Sequence, residues 1–221
     1  MGEAYQPSES VLTKLPQVTF VAVVGPTAAG KTTLLNAAAA RCHALHPVVA
    51  TTTRQPREGE RDGEDFHFCS LEEMQQRTQA GEYVQVVPAN LNGEMYASAP
   101  EDYTTEGIAL MAVISDVVPA FRKLPFKAVR TIFVLPPSWD VWQRRIIEHG
   151  FTPEVLEKRM IEAGRSLRFA LDDQSVIFIV NDDLAQSTLD FTQAALGAES
   201  YTNQFTSRDL AAQLLKELQN R

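Results

Sequence analysis

The stretch that most constrains this chain is Gly25–Thr33, "GPTAAGKTT". It fits the pattern G-x-x-x-x-G-K-[ST]. An almost wholly apolar run, "VTFVAVV", precedes it, and a segment of helix formers, "KTTLLNAAAARCHAL", follows. A short apolar run of this kind suits a strand covered on both faces. Strand, glycine-rich turn and helix in that order make a phosphate cradle. Gly25 and Gly30 permit the torsions that let the backbone wrap closely. The N–H groups of the loop, from Thr27, Ala28 and Ala29 through Thr33, then point at phosphate oxygens beside the positive end of the helix. Lys31 supplies a point charge for the β- and γ-phosphates, and the Thr32 hydroxyl suits Mg2+. The loop alone signifies a nucleoside triphosphate. It does not separate kinase, GTPase or motor.

Around this loop, apolar strands alternate with helices. "VVATTT", "GIALMAVI", "VRTIFVLPP" and "SVIFIVND" read as strands. "SWDVWQRRIIEHG", "LAQSTLDFTQAAL" and "SRDLAAQLLKELQNR" read as helices, as does "TPEVLEKRMIEAGRSLRFALDD", opened by Thr152 and Pro153. "SDVVPAFRKL" reads as a helix with Pro119 near its start. The alternation predicts an α/β domain with a mostly parallel sheet. From about Arg54 to Pro100 the pattern changes to short polar pieces: "DFHF", "SLEEMQQRTQAG", "EYVQVV" and "EMYAS". These read as a small mixed subdomain. Residues 1–16 are polar and irregular and read as a flexible tail.

The charge balance narrows the function classes. A formal net charge of -8 argues against a broad nucleic-acid face. A small anionic ligand remains open, because it needs only a few placed cations. No apolar run approaches transmembrane length, and the first ten residues lack a signal-peptide core. Cys42 and Cys69 have no metal-type spacing and read as buried small residues. The expectation is a soluble cytoplasmic protein acting on small molecules, without a nucleic-acid or membrane partner.

A second anion site lies in "TTTRQPREGERDGEDFHF", Thr51–Phe68. Arg54 and Arg57 flank Pro56, which stiffens the loop. Two guanidiniums there can fork onto one phosphate, and the carboxylates of "REGERDGED" can pair with and orient them. In isolation the segment reads as a solvated charged loop. Following "VVATTT", it is expected on the same sheet edge as the phosphate loop. Two anion sites on one edge suggest phosphoryl transfer between two phosphorylated ligands.

Together with "GEYVQVV", "LPPSWDVWQRRIIEHG", "EKRM" and "VNDD", these two loops resemble the guanylate kinase family over about Val18 to Leu196. The resemblance implies a P-loop kinase fold over residues 17–198. It implies an acceptor-binding insert at about 54–100 and a helical lid at about 143–160, with a C-terminal helix in 199–221. It implies that Lys31, Arg57, Arg145 and Arg159 neutralise charge on the transferring phosphoryl group. Asn181 is implied near the adenine of ATP, and Thr32 beside Mg2+. Arg54, Arg57 and Glu60 are implied at the acceptor phosphate, with Phe66, Gln85, Tyr96 and Ser98 around the acceptor nucleotide. The implied reaction is ATP-dependent phosphorylation of a nucleoside monophosphate, with GMP the default. Two alternatives stand beside it: a kinase of this fold for another phosphorylated acceptor, or a weakly active module that binds a ligand or protein. The intact phosphate loop favours a kinase.

Several positions depart from the family pattern. Gln85 stands for a glutamate that reads guanine, and Phe66 for a tyrosine. Met111 and Val113 stand for aspartates, with Asp116 nearby. His149 stands for a lid arginine and Ala97 for a glycine. The loop in "PANLNGEMYAS" is longer than usual. Trp139 and Trp142 read as helix-face packing. The C-terminal helix either packs on the domain or mediates self-association into a homo-oligomer, and the residues leave both open.

Overall fold

A computed structural model describes residues 5–88, 93–198 and 204–221. In chain order its elements are α1 (Glu9–Leu12), β1 (Thr19–Val24), α2 (Lys31–Arg41), β2 (Leu45–Pro47), β3 (Thr51–Thr52), β4 (His67–Phe68), α3 (Leu71–Gln79), β5 (Gln85–Pro88), β6 (Met95–Ser98), β7 (Ile108–Ala112), α4 (Val118–Phe121), β8 (Ala128–Leu135), α5 (Trp139–Glu148), α6 (Pro153–Asp172), β9 (Val176–Val180), α7 (Leu184–Leu196) and α8 (Gln204–Gln219).

The strands form two sheets. The central one has the order β2-β7-β1-β8-β9 and is parallel, as the α/β alternation predicts. Thr131 to Leu135 of β8 run parallel to Val176 to Val180 of β9, joined through α5 and α6. Phe20–Val24 and Ile132–Leu135 are fully buried, which is why these strands read as continuous apolar runs. The second sheet has the order β4-β3-β6-β5. It is mixed: β3 lies parallel to β4 and antiparallel to β6, and β5 lies antiparallel to β6.

The placement of "VVATTT" differs from expectation. Leu45–Pro47, just before this run, supplies an edge strand of the central sheet, and Thr51–Thr52 joins the second sheet. The threonine hydroxyls fix that choice. Thr52 Oγ1 donates to the Met95 carbonyl at 3.1 Å, and Met95 N–H donates to Thr53 Oγ1 at 2.8 Å. A β-branched run announces a strand but not which sheet it enters. The arginine loop therefore follows a strand of the second sheet, not of the sheet that carries the phosphate loop.

Two further expectations change. "SDVVPAFRKL" forms a 3-10 turn at Ser115–Val117 and only the short α4, with Pro119 in its first turn. Tyr5–Leu15, read as a flexible tail, carry α1 and enter a 3-10 turn at Leu15–Gln17. Val11 and Leu15, four apart, are buried and give this polar segment an apolar side to dock. The long loop of "PANLNGEMYAS" lies partly outside the described residues. Cys42 and Cys69 are free and half-buried rather than fully enclosed.

The chain divides into two compact units. One comprises the chain up to Phe20, His46–Met111 and Pro119–Val129; the other comprises Val21–Leu45, Ala112–Val118 and Arg130–Arg221. In the first, Phe20 packs on Phe121 (4.8 Å between ring centres) and Phe126 (5.2 Å), while Met74, Tyr83, Val86 and Ala97 form a smaller cluster. In the second, Phe133 meets Phe178 at 5.6 Å, α2 packs on α7, and α6 packs on α8. Among the described residues no helix is long and apolar enough to cross a membrane.

Candidate active site

The phosphate loop is built by close approach in the second unit. Gly25 leaves β1 at φ +146°, and a Cβ there would lie 2.4 Å from the Val134 carbonyl oxygen of β8. Gly30 caps α2 at φ +89°, and a Cβ there would lie 2.2 Å from Asn181 Nδ2. Ala28 also adopts the left-handed region, at φ 59°. Two side chains fasten the loop. Trp142 Nε1 donates to the Thr27 carbonyl at 2.9 Å, and Asn181 Nδ2 donates to the Ala29 carbonyl at 2.9 Å. Asn181 is itself fixed: its N–H donates to the Leu135 carbonyl at 2.8 Å, and its carbonyl accepts from Arg145 Nη2 at 3.0 Å. Trp142 does pack, being fully buried and edge-on to Trp139. Its loop-fastening role was missed in the sequence, although a buried indole N–H always calls for an acceptor.

Lys31 begins α2, where the helix terminus favours anions. Its ammonium donates to the carbonyls of Gly25 at 2.7 Å and Pro26 at 2.9 Å. Lys31 as a whole is half-buried, and burial is the main influence on its ammonium. Loss of hydration pulls it down to about 8; Glu162 opposes this fall and Arg159 reinforces it. A triphosphate stabilises the charged form, so binding takes up a proton wherever the free protein has lost one. Affinity for ADP or a non-hydrolysable ATP analogue is therefore expected to be flat below pH 8. It should fall toward about tenfold per pH unit above that. Calorimetry from pH 7 to 9.5 in buffers of different ionisation heats reads both the affinity and the proton uptake. Constant affinity across that range would remove Lys31 from the phosphate contact.

Two arginines leave donors unused. Arg145 Nη1 and Arg159 Nε are buried without a hydrogen-bond partner among the described residues. Arg159 pairs with Glu162 at 2.9 Å. A cavity of about 440 Å³ opens beside the loop, lined by Ala28, Gly30, Thr33, Arg145, His149 and Asn181 among others. Buried donors without acceptors are costly, and an anionic oxygen would satisfy them. Ser138 and Thr152 cap α5 and α6, accepting from Val141 and Val155 N–H, and so set the starts of the helices that carry these arginines. The Thr32 hydroxyl is exposed and makes no hydrogen bond among the described residues. His149 stacks on Phe151 at 5.3 Å. Asp116, near the missing aspartates, is held by Arg165 at 3.3 Å.

The second cluster belongs to the first unit. Arg54 is nearly buried and forks onto Glu60: Nη1 to Oε2 and Nη2 to Oε1, both at 2.9 Å. Glu60 Oε2 also accepts the Arg57 N–H at 2.7 Å. The Arg54 hydrogen bonds hold the Glu60 carboxyl below its ordinary range, with the Arg57 N–H adding to this against partial burial. Glu60 thus orients Arg54, while the Arg57 guanidinium is exposed and makes no contact among the described residues. Phe66 supplies a bare ring 5.2 Å from the Arg54 guanidinium and lies edge-on to Tyr96 at 6.1 Å.

Gln85 lies opposite Ser98 in the β5–β6 ladder, and Val87 opposite Tyr96. These four share one face of the sheet, because opposed residues point the same way. Val86 and Ala97 project from the other face into the small core. Gln85 Nε2 has one long contact, 3.4 Å to the Val86 carbonyl. Ser98 is buried and its Oγ accepts from the Tyr103 hydroxyl at 2.9 Å. The sequence-derived residues therefore assemble as two sets. Arg54, Arg57, Glu60, Phe66, Gln85, Tyr96 and Ser98 fall in one unit; the phosphate loop, Arg145, Arg159 and Asn181 fall in the other.

Comparison with known proteins bears on this pair of sets. The family model for guanylate kinase matches residues 17–196. The chain belongs to the guanylate kinase family. A guanylate kinase from Symbiobacterium thermophilum is 32% identical over 195 residues, covering 85% of this chain and 89% of its own. That of Corynebacterium diphtheriae is 31% identical over 183 residues, covering 80% and 94%. The crystal structure of guanylate kinase from Anaplasma phagocytophilum superposes with a TM-score of 0.56 at 22% identity, over 81% of this chain and 84% of that one. Its likeness concerns the fold.

Proposed function

We propose that this protein transfers the γ-phosphoryl group of ATP to the phosphate of a nucleoside monophosphate, with GMP the principal acceptor. The observation that supports this best is the presence of two anion cradles in one chain. One is the Gly25–Thr33 loop with Lys31. The other is the Arg54–Glu60 fork with Arg57 beside it. Relatives named guanylate kinase support GMP as the acceptor.

In this reading an oxygen of the acceptor phosphate attacks the γ-phosphorus. A new P–O bond forms to the acceptor, the bond to the β,γ-bridging oxygen breaks, and ADP leaves with that electron pair. No enzyme nucleophile is needed. The chain contributes position and charge. Arg54, oriented by Glu60, and Arg57 hold the acceptor phosphate. Lys31, with the free N–H groups of Arg145 and Arg159, neutralises the transferring group. The exposed Thr32 hydroxyl fits Mg2+, an ion that keeps several waters and arrives bound to phosphate oxygens. Held there, Mg2+ would offset the negative charge of the phosphates. The substrates are small soluble nucleotides, and we place the reaction in the cytoplasm.

Gln85 sets the strength of base reading. Guanine presents two adjacent donors on its pairing edge. A carboxylate accepts both, whereas an amide offers one acceptor and a competing donor. Gln85→Glu is therefore expected to lower KM for GMP about tenfold, as a charge-assisted bond replaces a neutral one. Initial rates at saturating ATP check this, and an unchanged KM would take Gln85 out of the base site. A narrower second reading, a different phosphorylated acceptor, is favoured by the same amide. Phosphorus NMR of a reaction with ATP and GMP tests the main proposal: GDP β-phosphate should appear as ATP is consumed. ATP left unconsumed with GMP but consumed with another phosphorylated acceptor would point to the second reading.

A further inference from the structure

The family match begins at residue 17. The residues before it nevertheless reach the acceptor-binding sheet. The Tyr5 hydroxyl donates to the Tyr83 carbonyl and accepts the Tyr83 N–H at 2.9 Å. One hydroxyl thus satisfies both main-chain groups of a residue 78 positions away in sequence. Three residues on, Ser8 N–H donates to the Gly81 carbonyl at 2.9 Å. Gly81 is in the left-handed region at φ +69°, and a Cβ there would lie 3.0 Å from Ser8 N and 3.2 Å from Ser8 Cβ. The Tyr5 ring packs on the cluster of Met74, Tyr83, Val86 and Ala97.

The place of these contacts gives them their meaning. Among the described residues β5 is an edge strand, paired only with β6. An edge leaves main-chain groups unpaired on its open side and frays from its ends. Val84 N–H bonds across to Ser98 at 2.7 Å, so Tyr83 turns its N–H and carbonyl the other way. There the Tyr5 hydroxyl stands in for a neighbouring strand. Gln85 is the second residue beyond Tyr83, opposite Ser98.

We propose that residues 5–12 form a strap that positions β5, with Tyr5 a positioning residue for acceptor binding. The strap fixes the start of the strand, and thereby the register that presents Gln85 and Val87 on the acceptor face. It rests on the kinase reading for its kinetic consequence only; the ordering of β5 is independent of it.

Tyr5→Phe keeps the ring and removes the hydroxyl. KM for GMP should rise about five- to tenfold, as expected when two main-chain bonds lose their partner. KM for ATP and kcat should stay within about twofold, because those contacts lie in the other unit. Ser8→Pro tests the second tie. Ser8 has φ -67°, a torsion proline accepts, but proline removes the N–H and sets its Cδ against the Gly81 carbonyl, so this tie is broken. It should reproduce the same split more weakly. Hydrogen exchange of the full-length protein supplies a readout without catalysis: the Tyr83 amide should exchange about tenfold faster in Tyr5→Phe. A lowered melting temperature with both KM values unchanged would overturn the proposal, as would equal rises in both. If the wild type phosphorylates no nucleotide, the kinase reading fails by itself. The strap then stands or falls on exchange at Tyr83, and an unchanged rate there overturns it.

Discussion

Replacing Arg57 by alanine is expected to slow phosphoryl transfer about a thousandfold while leaving ATP affinity within about twofold. Arg54 and Arg57 are both conspicuous in the sequence, but the structure separates their roles. Arg54 is nearly buried, forked onto Glu60 and stacked over Phe66. Much of its charge is already answered. Arg57 is exposed, and its guanidinium has no partner among the described residues. Its main-chain N–H is pinned by Glu60, which fixes where the side chain starts. It is the arginine of this loop most ready to meet phosphate oxygens. Steady-state rates with GMP and calorimetry with an ATP analogue separate the two effects. Because the side chain is exposed, the melting temperature should not move, so a loss of rate cannot be assigned to unfolding. A collapse of ATP affinity instead would mean that Arg57 serves the donor nucleotide.

Gly30→Ala should weaken ATP binding about a hundredfold. Two costs combine. A left-handed torsion is unfavourable for alanine by about 1–2 kcal/mol. The added Cβ would also fall 2.2 Å from Asn181 Nδ2, so the amide must move and its bond to the Ala29 carbonyl must break. A buried group left unpaired costs about 1–3 kcal/mol. Asn181 also accepts from Arg145 through its main-chain carbonyl, so the disturbance reaches that guanidinium. Gly63→Ala is the control. Its φ of +77° is similar, but nothing lies within 4 Å of an added Cβ. It should cost fold stability through the torsion alone and leave ATP affinity unchanged. Equal ATP affinity in Gly30→Ala and the wild type would show that the loop tolerates what its geometry forbids.

The donor half was legible because its chemistry is local. "GPTAAGKTT" needs glycines where the backbone passes Val134 and Asn181, and both constraints appear as residue types within nine positions. A carboxylate orienter was legible in "REGERDGED" for the same reason, and Glu60, six residues from Arg54, is the one that forks onto it. What escaped is non-local. Asn181 reaches Ala29 across 152 positions, and Trp142 reaches Thr27 across 115. A side chain that fastens a distant main-chain carbonyl leaves no periodicity to find. Thr51 and Thr52 announce a strand, but the hydroxyl bonds of Thr52 and Thr53 to Met95 decide which sheet it enters. The N-terminal segment looked unstructured because its order depends on Val11, Leu15 and one tyrosine meeting surfaces built elsewhere.

The proposed phosphoryl transfer needs ATP and a phosphorylated acceptor to react on this chain. A coupled assay of ADP release with ATP and Mg2+ tests it, run across GMP, dGMP, AMP, UMP, CMP and several sugar phosphates. The account predicts acceptor-dependent turnover, fastest with GMP and absent with sugar phosphates. Tight ATP binding with no turnover on any acceptor would contradict it.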